Sequence, residues 1–338
     1  MSARKNTHTV HIHIHIYIYI YIYIYRKKER KRERERDTRD ERRETMTFAS
    51  MMARKTASVS IRAGARSARK LVGLNLYQTG RQRVCAASAS SAVRITTVAG
   101  TGLEKEGAPG KEDFRIFYTS DGKRTSPWHG APLYKDKAAG LVHFYCEIPK
   151  ETDAKMECAT DEKLNPIKQD TKKGKLRYYP YNINWNYGML PQTWEDPKVA
   201  NAECGGVCGD NDPVDVVEIG STSLEMGGMY AVKVIGCYAM IDDGELDWKV
   251  IAIAEEDPMA DKVNAVEDVE KLMPGELEKI RVWFRDYKTP DGKPQNAYGY
   301  DDKCMPKDFT MGVIEETHEH YSKLVSGARE NDEELSLE

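Results

Sequence analysis

The segment that most constrains this chain is an acidic stretch that runs into an apolar, strand-like one. It reads Gly209-Asp210-Asn211-Asp212-Pro213-Val214-Asp215-Val216-Val217-Glu218-Ile219-Gly220. Like charges about 4 Å apart repel by roughly 4 kcal/mol per pair at an effective dielectric constant of about 20. A fold that gathers Asp210, Asp212 and Asp215 therefore needs a cation to offset the repulsion. Mg²⁺, held by a few carboxylates and by substrate phosphates, is the usual choice.

A plain turn is the alternative, because stretches rich in Asp, Asn, Pro and Gly commonly form turns. An EF-hand loop does not fit: with Asp210 as position 1, Asp215 stands where Gly is required and Ser221 where Glu is required. A second acidic run, Asp242-Asp243-Gly244-Glu245-Leu246-Asp247-Trp248-Lys249, also adjoins strand-like residues. Two such turns can converge on one site, which favours the metal hypothesis.

Residues 1–45 have the composition of a low-complexity segment. Residues 11–25 alternate His or Tyr with Ile, and residues 30–36 alternate Arg with Lys or Glu. Dinucleotide repeats encode such alternations, so we interpret the segment as translated untranslated-region sequence, with Met46, Met51 or Met52 as the start. A disordered basic tail is the alternative.

Residues 46–85 have the composition of a plastid transit peptide. From Met46 to Leu103 the chain contains no Asp or Glu but nine Arg or Lys among many Ser, Ala and Thr. Val84-Cys85-Ala86-Ala87-Ser88 resembles a processing site, which leaves residues 86–110 as a flexible mature N-terminus. We predict the plastid stroma as the location, with the cytoplasm as the alternative.

Removing residues 1–85 changes the charge of the chain. That segment holds 21 basic and 7 acidic residues, which leaves 30 basic and 47 acidic residues and a net charge of −17. A body this acidic disfavours a nucleic-acid partner, and the lack of a run of about 20 apolar residues disfavours a membrane partner. The seven cysteines form no paired framework, which predicts free thiols in a reducing compartment.

Residues 111–325 are expected to form one domain, followed by a frayed acidic tail over 326–338. Strand-like runs separated by turn residues predict a mainly β fold with flanking helices (α+β) and a small closed barrel. These runs are 142–148, 154–158, 175–179, 214–219, 230–241 and 248–254. Apolar residues at helical spacing over 277–287 and 309–324 predict two helices.

Four segments together resemble soluble inorganic pyrophosphatases of the first family, eukaryotic type, in the family's order. They are the two acidic runs, Leu190-Pro191-Gln192-Thr193-Trp194-Glu195-Asp196-Pro197 and Tyr287-Lys288-Thr289-Pro290-Asp291-Gly292-Lys293-Pro294. The resemblance covers about residues 112–325. It implies a five-stranded OB-like closed barrel and the hydrolysis of pyrophosphate to two orthophosphates, with three to four Mg²⁺ ions per site.

The resemblance also implies a role for each matching residue. The implied metal ligands are Asp210, Asp215, Asp242, Asp247 and, through water, Glu157. The implied phosphate contacts are Lys155, Arg177, Tyr187, Lys249, Tyr287 and Lys288. Asp212 resembles the base that deprotonates the attacking water and completes the catalytic set with Lys155, Arg177 and Tyr187. Glu147 resembles a structural acid of the site. A solvated surface charge is the alternative for any one cation, and the matching order of the whole set favours the functional interpretation.

The chain departs from the family pattern at Lys150-Glu151, where fungal and animal members have an Arg-Trp pair. The long C-terminal extension of the fungal proteins also has no counterpart here. Both features belong to the fungal dimer contact, so we expect a monomer, or a homodimer that lacks this contact.

Two other function classes compete with hydrolysis. A catalytically inactive phosphate-binding protein would be expected to lack Asp212, Lys155 or Arg177, and all three are present. A single-strand binder on an OB-fold needs a basic groove with stacking aromatic residues, which the net charge of −17 disfavours.

We predict that the native protein contains none of residues 17–45, because they precede every start that we favour. Peptide mapping by mass spectrometry of protein purified from its source would check this. Recovery of peptides from residues 17–45 would show instead that the segment is translated and retained.

Overall fold

The computed structural model describes residues 95–338. The predictions for residues 1–45, for the transit peptide over 46–85 and for a long disordered N-terminus lie outside the described residues. Within residues 95–338 strands far outnumber helices, so the prediction of a mainly β fold is confirmed. No helix of this range is long and apolar enough to cross a membrane.

The six predicted strand runs all contain strands of the structure. In chain order the strands of residues 95–338 are β1 Thr101–Glu106, β2 Arg115–Ser120, β3 Lys123–Arg124, β4 Tyr134–Asp136, β5 Leu141–Ile148, β6 Thr152–Ala154, β7 Met156–Cys158, β8 Ile167–Gln169, β9 Thr171–Lys172, β10 Lys175–Leu176, β11 Tyr178–Ile183, β12 Asn186–Met189, β13 Ala200–Asn201, β14 Val207–Cys208, β15 Asp215–Glu218, β16 Met229–Asp242, β17 Glu245–Ala254, β18 Ala297–Tyr298 and β19 Met305–Pro306.

Both predicted helices are present, and two shorter ones join them. The α-helices of the described range are α1 Pro127–Gly130, α2 Val266–Leu272, α3 Glu276–Asp286 and α4 Lys307–Val325. Single 3₁₀ turns lie at Ala202–Cys204, Thr289–Asp291 and Tyr300–Asp302. The sequence-based analysis missed α1 and α2, which are short and carry few buried residues.

Five strands of the main sheet pair in a cycle. β5 pairs with β12, β12 with β15, β15 with β17, β17 with β16, and β16 again with β5. The β15–β17 pair is parallel, and the other four pairs are antiparallel. Each of the five therefore hydrogen-bonds a partner on both sides, which holds the residues at their ends in fixed register.

Strands β15 and β17 are buried on both faces. Val216 and Val250, which lie opposite each other, belong to one apolar cluster, while Val217 and Ile251 belong to another. Successive side chains of a strand point to opposite faces. The near-continuous apolar run of β17 follows from this double burial, which is usual for parallel pairs.

The hairpin between β16 and β17 turns in two residues. Asp242 pairs with Glu245, and the loop between them is Asp243-Gly244, with φ of 49° and 98°. An Asp-Gly pair with positive φ at both positions is the preferred two-residue hairpin turn, because its twist matches that of the strands. The turn brings Asp242 back beside the start of β17.

Helices α3 and α4 cover the strands with apolar stripes. In α3 the buried residues are Leu277, Ile280, Trp283 and Phe284, at the spacing of one helical face. In α4 the buried residues are Thr310, Val313, Ile314, Thr317, Tyr321 and Leu324. Both predicted helices therefore contribute buried residues to the core.

Two terminal predictions differ from the structure. Residues 95–110 are not a flexible segment throughout, because β1 pairs along its whole length with β2 and Leu103 packs on the core. The tail is not frayed either. Leu335 is 7% exposed, and the backbone N–H of Ser336 donates to Thr160 O at 2.8 Å. In both places, burial of one apolar residue and backbone hydrogen bonds stabilise a segment whose composition is polar.

We predict opposite effects for two Gly-to-Ala substitutions. In β12, a Cβ on Gly188 would lie 2.0 Å from Tyr145 O and 2.8 Å from Glu147 N, so Gly188→Ala should lower the free energy of unfolding by about 1–3 kcal/mol. In α4, a Cβ on Gly312 meets no atom within 4 Å, so Gly312→Ala should raise it by about 0.5–1 kcal/mol. Urea unfolding measures both, and equal stabilities of the two variants would contradict the register of β12 described here.

Candidate active site

The acidic and basic residues meet where the central strands begin and end. Asp215 is the first residue of β15 and lies opposite Lys249 of β17. Asp247 and Lys249 are two apart in β17, so they point to the same face. An isolated parallel bridge between Gly209 and Leu246 carries the loop before β15 alongside β17. Register thus brings the two acidic runs of the sequence together, as the sequence predicts.

Lys249 is the buried cation at the centre of this group. Its side chain is 3% exposed, and its Nζ donates to Asp215 and Asp247 and, at 2.9 Å, to Tyr187 Oη. The Tyr187 hydroxyl in turn donates to Asp215. Burial disfavours the ammonium, but the charges of Asp215 and Asp247 outweigh it and raise the pKa of Lys249 above its ordinary value.

Three carboxylates form a cluster beside Lys249. Glu195, Asp210 and Asp247 each offer one oxygen, and these oxygens all lie within 4.8 Å of one another. Glu195 is 3% exposed. Its Oε1 accepts from Trp248 N at 2.9 Å, whereas its Oε2 is buried without a hydrogen-bond partner. Hard divalent cations take carboxylate oxygens as ligands, so the orphaned oxygen and the clustered carboxylates fit such a cation.

The same crowding raises the pKa of each acid of the cluster. Burial, and after it the charge of Asp210, raises the pKa of Glu195 well above its usual range. Burial and the neighbouring charge of Asp247 do the same to Asp210. Burial raises the pKa of Asp247 to about 8, with Asp215 adding to the shift and Lys249 opposing it. A bound cation would offset both causes, because its positive charge stabilises the buried carboxylates and cancels their mutual repulsion.

Asp212 lies at the mouth of the site. The residue is solvent-exposed, but neighbouring protein atoms shield its carboxylate from part of the water. This partial loss of water, together with the charges of Glu157 and Asp215, raises its pKa to about 7. A carboxylate with a pKa near neutrality is suited to exchange a proton with a nearby water.

Lys155 and Arg177 line one wall of the site and share an acid. Lys155 Nζ donates to Glu157 Oε2 and to Asp170 Oδ2, both at 2.9 Å, and the Arg177 guanidinium also donates to Asp170. Asp170 was not among the predicted residues. Its pKa lies below the usual range because Lys155 and Arg177 outweigh the effect of burial.

Tyr287 and Lys288 line another wall of the site and follow helix α3. The Tyr287 hydroxyl donates to Asp242 Oδ2 at 2.9 Å, and Lys288 Nζ donates to Asp242 and, at 3.1 Å, to Asp243 Oδ2. Each wall therefore pairs its cations with carboxylates of the site.

One cavity of about 300 Å³ joins these groups. All predicted site residues except Glu157 line it, namely Lys155, Arg177, Tyr187, Asp210, Asp212, Asp215, Asp242, Asp247, Lys249, Tyr287 and Lys288. Glu157 lines an adjoining recess of about 140 Å³ with Glu147, which is 5% exposed and accepts from Cys158 N at 2.7 Å. The recess shares Lys155, Tyr187, Asp212 and Asp215 with the cavity, so the predicted set is brought together.

Glu195 is the acid that sequence reasoning left without a role. It stands inside the quoted segment Leu190–Pro197, next to Trp194, and the only local signal is an acid beside an apolar anchor. Trp194 and Trp248 are 0% and 5% exposed, so both are packing residues. The backbone N–H of Trp248 also donates to Glu195 and thereby supports this acid directly.

Comparison with known proteins agrees with the geometry. The family model for inorganic pyrophosphatase matches residues 144–322. The chloroplastic soluble inorganic pyrophosphatase 1 of Chlamydomonas reinhardtii is 60% identical over 256 residues, which are 76% of this chain and 89% of that protein. The chloroplastic soluble inorganic pyrophosphatase 6 of Arabidopsis thaliana is 58% identical over 224 residues, 66% of this chain and 74% of that protein.

A solved structure of a pyrophosphatase is also similar to this chain. The N-terminally truncated vacuolar soluble pyrophosphatase of Trypanosoma cruzi, in complex with PPi, has a TM-score of 0.64 and 36% identity to this chain. The match covers 78% of this chain and 99% of that one. Because the family model spans more than half of the chain and the two plant and algal relatives are similar over most of their length, this chain belongs to the inorganic pyrophosphatase family.

Proposed function

We propose that this protein hydrolyses inorganic pyrophosphate to two orthophosphates with Mg²⁺ at the cavity described above. The observation that carries the proposal is the carboxylate cluster of Glu195, Asp210 and Asp247, of which Asp210 and Asp247 line one cavity together with lysine, arginine and tyrosine donors. Phosphoryl transfer leaves the protein mainly the tasks of positioning and of electrostatic stabilisation. These tasks require acids that bind the metal and cations that bind the phosphates.

The acids would hold the metal. We assign Asp210, Asp215 and Asp247 to direct binding of Mg²⁺, Asp242 to a further ion that arrives with substrate, and Glu157 to contact through water. Glu195, with its unpartnered Oε2, is added to this set. Mg²⁺ bound there lowers the pKa of a bound water and neutralises charge on the phosphoryl groups.

Asp212 would take the proton of the attacking water. Its pKa of about 7 makes the carboxylate a base at neutral pH while keeping the proton transfer favourable. Its exposed position at the mouth of the cavity leaves a side-chain oxygen open to water. Proton transfer to a carboxylate oxygen of Asp212 is the step that we assign to it.

The cations would bind the two phosphoryl groups, and the present contacts indicate how. Lys249 donates to carboxylates, and so do Lys288 and Arg177. With metal bound to Asp215, Asp242 and Asp247, the ammonium groups of Lys249 and Lys288 would be free to bind substrate as point charges. Arg177, whose partner Asp170 is not among the metal acids, would offer its remaining N–H groups as a fork. The phenols of Tyr187 and Tyr287 add neutral donors.

The cycle of five strands supports the expectation of an OB-like closed barrel. Its order, β5-β12-β15-β17-β16 and back to β5, contains one parallel pair between the third and the last strand of the chain order. Closure of a small sheet is one way in which proteins remove exposed strand edges. The active site would then lie at one rim of this barrel.

We also propose a plastid location and a subunit arrangement that differs from the fungal one. The chloroplastic relatives and the composition of residues 46–85 support the plastid stroma. At the expected fungal contact, Lys150 turns inward, and its Nζ donates to Gly220 O at 2.9 Å. A half-buried lysine bound within its own chain supports a monomer, or a homodimer that uses another surface.

We expect the full chain to release phosphate from pyrophosphate with Mg²⁺ and to stop when EDTA removes the metal. Asp212→Asn should still bind Mg²⁺ but lose roughly 10²–10⁴-fold in turnover, because general-base catalysis contributes about that much. Phosphate release assays measure both. Asp161→Asn is the matched control, since Asp161 is an exposed acid of the neighbouring recess that pairs with Lys168. A folded chain that binds phosphate but releases none would replace hydrolysis by the phosphate-binding function.

In metal-free protein we expect the free energy of unfolding to fall as the pH rises from about 4 to about 8. The pKa of Asp247 is 3.8 ordinarily and about 8 in the fold. Between these values the folded state keeps a proton that the unfolded state has released, so this stability is complete below the lower value and lost through the upper one. Mg²⁺ should therefore raise the melting temperature more at about pH 8 than at about pH 5.

Differential scanning fluorimetry with EDTA and with Mg²⁺ gives these melting temperatures. Asp247→Asn, whose amide has no proton to release in this pH range, should show a smaller dependence on pH. A melting temperature of the EDTA-treated protein that rises over this pH range would show that the acids of the site are not repelling one another.

A further inference from the structure

Outside the cavity, the C-terminal tail (residues 326–338) lies against the segment that contains Glu195. The guanidinium of Arg329 is 13% exposed and donates from Nη2 to Asp196 Oδ1 at 3.1 Å and to Glu333 Oε1 at 2.6 Å. Its Cζ lies 5.0 Å from the centroid of the Trp194 ring, a cation–π distance. Arg329 therefore holds both neighbours of Glu195 in the chain.

Trp194 connects this contact to the acidic loop. The side chain is fully buried, and its Nε1 donates to Asn211 Oδ1 at 3.1 Å and to Asn211 O at 3.3 Å. Asn211 stands between Asp210 and Asp212 at a φ of 74°, a conformation that few residues other than glycine adopt. Its backbone N–H donates to Glu195 O at 3.0 Å, and Glu195 N donates to Asp212 O at 3.0 Å. The segment around Trp194 thus sets the backbone of the loop that carries the acids.

The tail is itself anchored beyond Arg329. Leu335 is buried, and Ser336 O accepts from Asn165 Nδ2 at 3.2 Å and lies 3.0 Å from His129 Nε2. On a frayed tail, Arg329 would lose side-chain conformational entropy when it formed these bonds. In the docked tail, the anchors at Leu335 and Ser336 compensate for that loss and hold the guanidinium in position.

We propose that Arg329 is a positioning residue of the active site. It fixes Trp194 and Asp196, and through the indole N–H it keeps Asn211 and the acidic loop (209–215) in the arrangement that binds metal. The proposal rests on the proposed function for the identity of the metal as Mg²⁺. Asp196 is 6% exposed, so loss of the guanidinium would also leave a buried carboxylate unpaired next to the acidic cluster.

The test is Mg²⁺ binding by the full chain, measured by isothermal titration calorimetry without pyrophosphate. Arg329→Met keeps the length of the side chain but removes its charge and fork. We expect the Kd for Mg²⁺ to rise about tenfold, since partners that orient metal ligands typically contribute 10- to 100-fold to affinity. The Mg²⁺ concentration for half-maximal hydrolysis should rise in parallel. If Arg329→Met does not fold, the same titration is made with Arg329→Lys, which keeps the charge.

Arg124→Met is the matched control. Arg124 also stacks on an aromatic ring, with its Cζ 4.2 Å from the centroid of Phe117, and it also binds two acids, Glu104 and Glu106. None of these residues lines the cavity. We expect Arg124→Met to lower the melting temperature without changing the Kd for Mg²⁺. A variant at Arg329 that likewise changes only the melting temperature would overturn the proposal.

A double-mutant cycle tests the route through the indole. Trp194→Phe keeps an aromatic ring but removes the N–H that binds Asn211, so it should raise the Kd for Mg²⁺ as well. If Arg329 acts through Trp194, adding Arg329→Met to Trp194→Phe should change the Kd little further. A full additional rise would show that Arg329 acts by another route, against the proposal. Because binding is read without substrate, failure of the hydrolysis assignment would leave this result interpretable.

Discussion

The rest of the structure depends on the repulsion between buried carboxylates. Glu195, Asp210 and Asp247 lie close together at the end of the central strands, and their raised pKa values express the free energy that ionising all of them would require. Lys249 offsets part of this repulsion from a position that is 3% exposed. A fold can hold such a group only if the backbone beneath it is rigid. The pairing of each central strand on both sides supplies that rigidity.

The same repulsion would determine the order in which metal and substrate bind to the site. Lys249 and Lys288 donate to Asp215, Asp247 and Asp242, which are acids that we assign to the metal. A divalent cation bound to these acids would neutralise the charge that holds the two lysines and would leave them free to bind phosphate. Binding of metal and binding of substrate would therefore be coupled through the ion pairs of the cavity.

Sequence alone predicted the parts of the fold and site that local pattern specifies. The acidic run before β15, the Asp-Gly hairpin and the apolar stripes of α3 and α4 are each legible within a short window. Glu195 was missed because its partners are distant in the chain, whereas Asp170 was missed although Lys155 and Arg177 lie only 15 and 7 residues from it. Glu195 lies beside Asp210 because backbone hydrogen bonds join it to Asn211 and Asp212, which are 16 and 17 residues further along the chain. Strand β12 was missed too, because a buried strand of four residues has no periodicity to read.

The prediction of a frayed tail was wrong for a different reason. Composition averages over residues that favour an ordered segment and residues that oppose it. Five acids among residues 330–338 favour a solvated, disordered segment. Yet Glu333 binds Arg329, Leu335 is buried, and Ser336 pairs with the backbone of Thr160. Each of these contacts depends on a surface that the rest of the domain provides. The acids of the tail are therefore tolerated near an acidic site because cations of the domain bind them. Arg329 binds Glu333 as well as Asp196, Lys198 binds Asp332, and Lys163 binds Glu338.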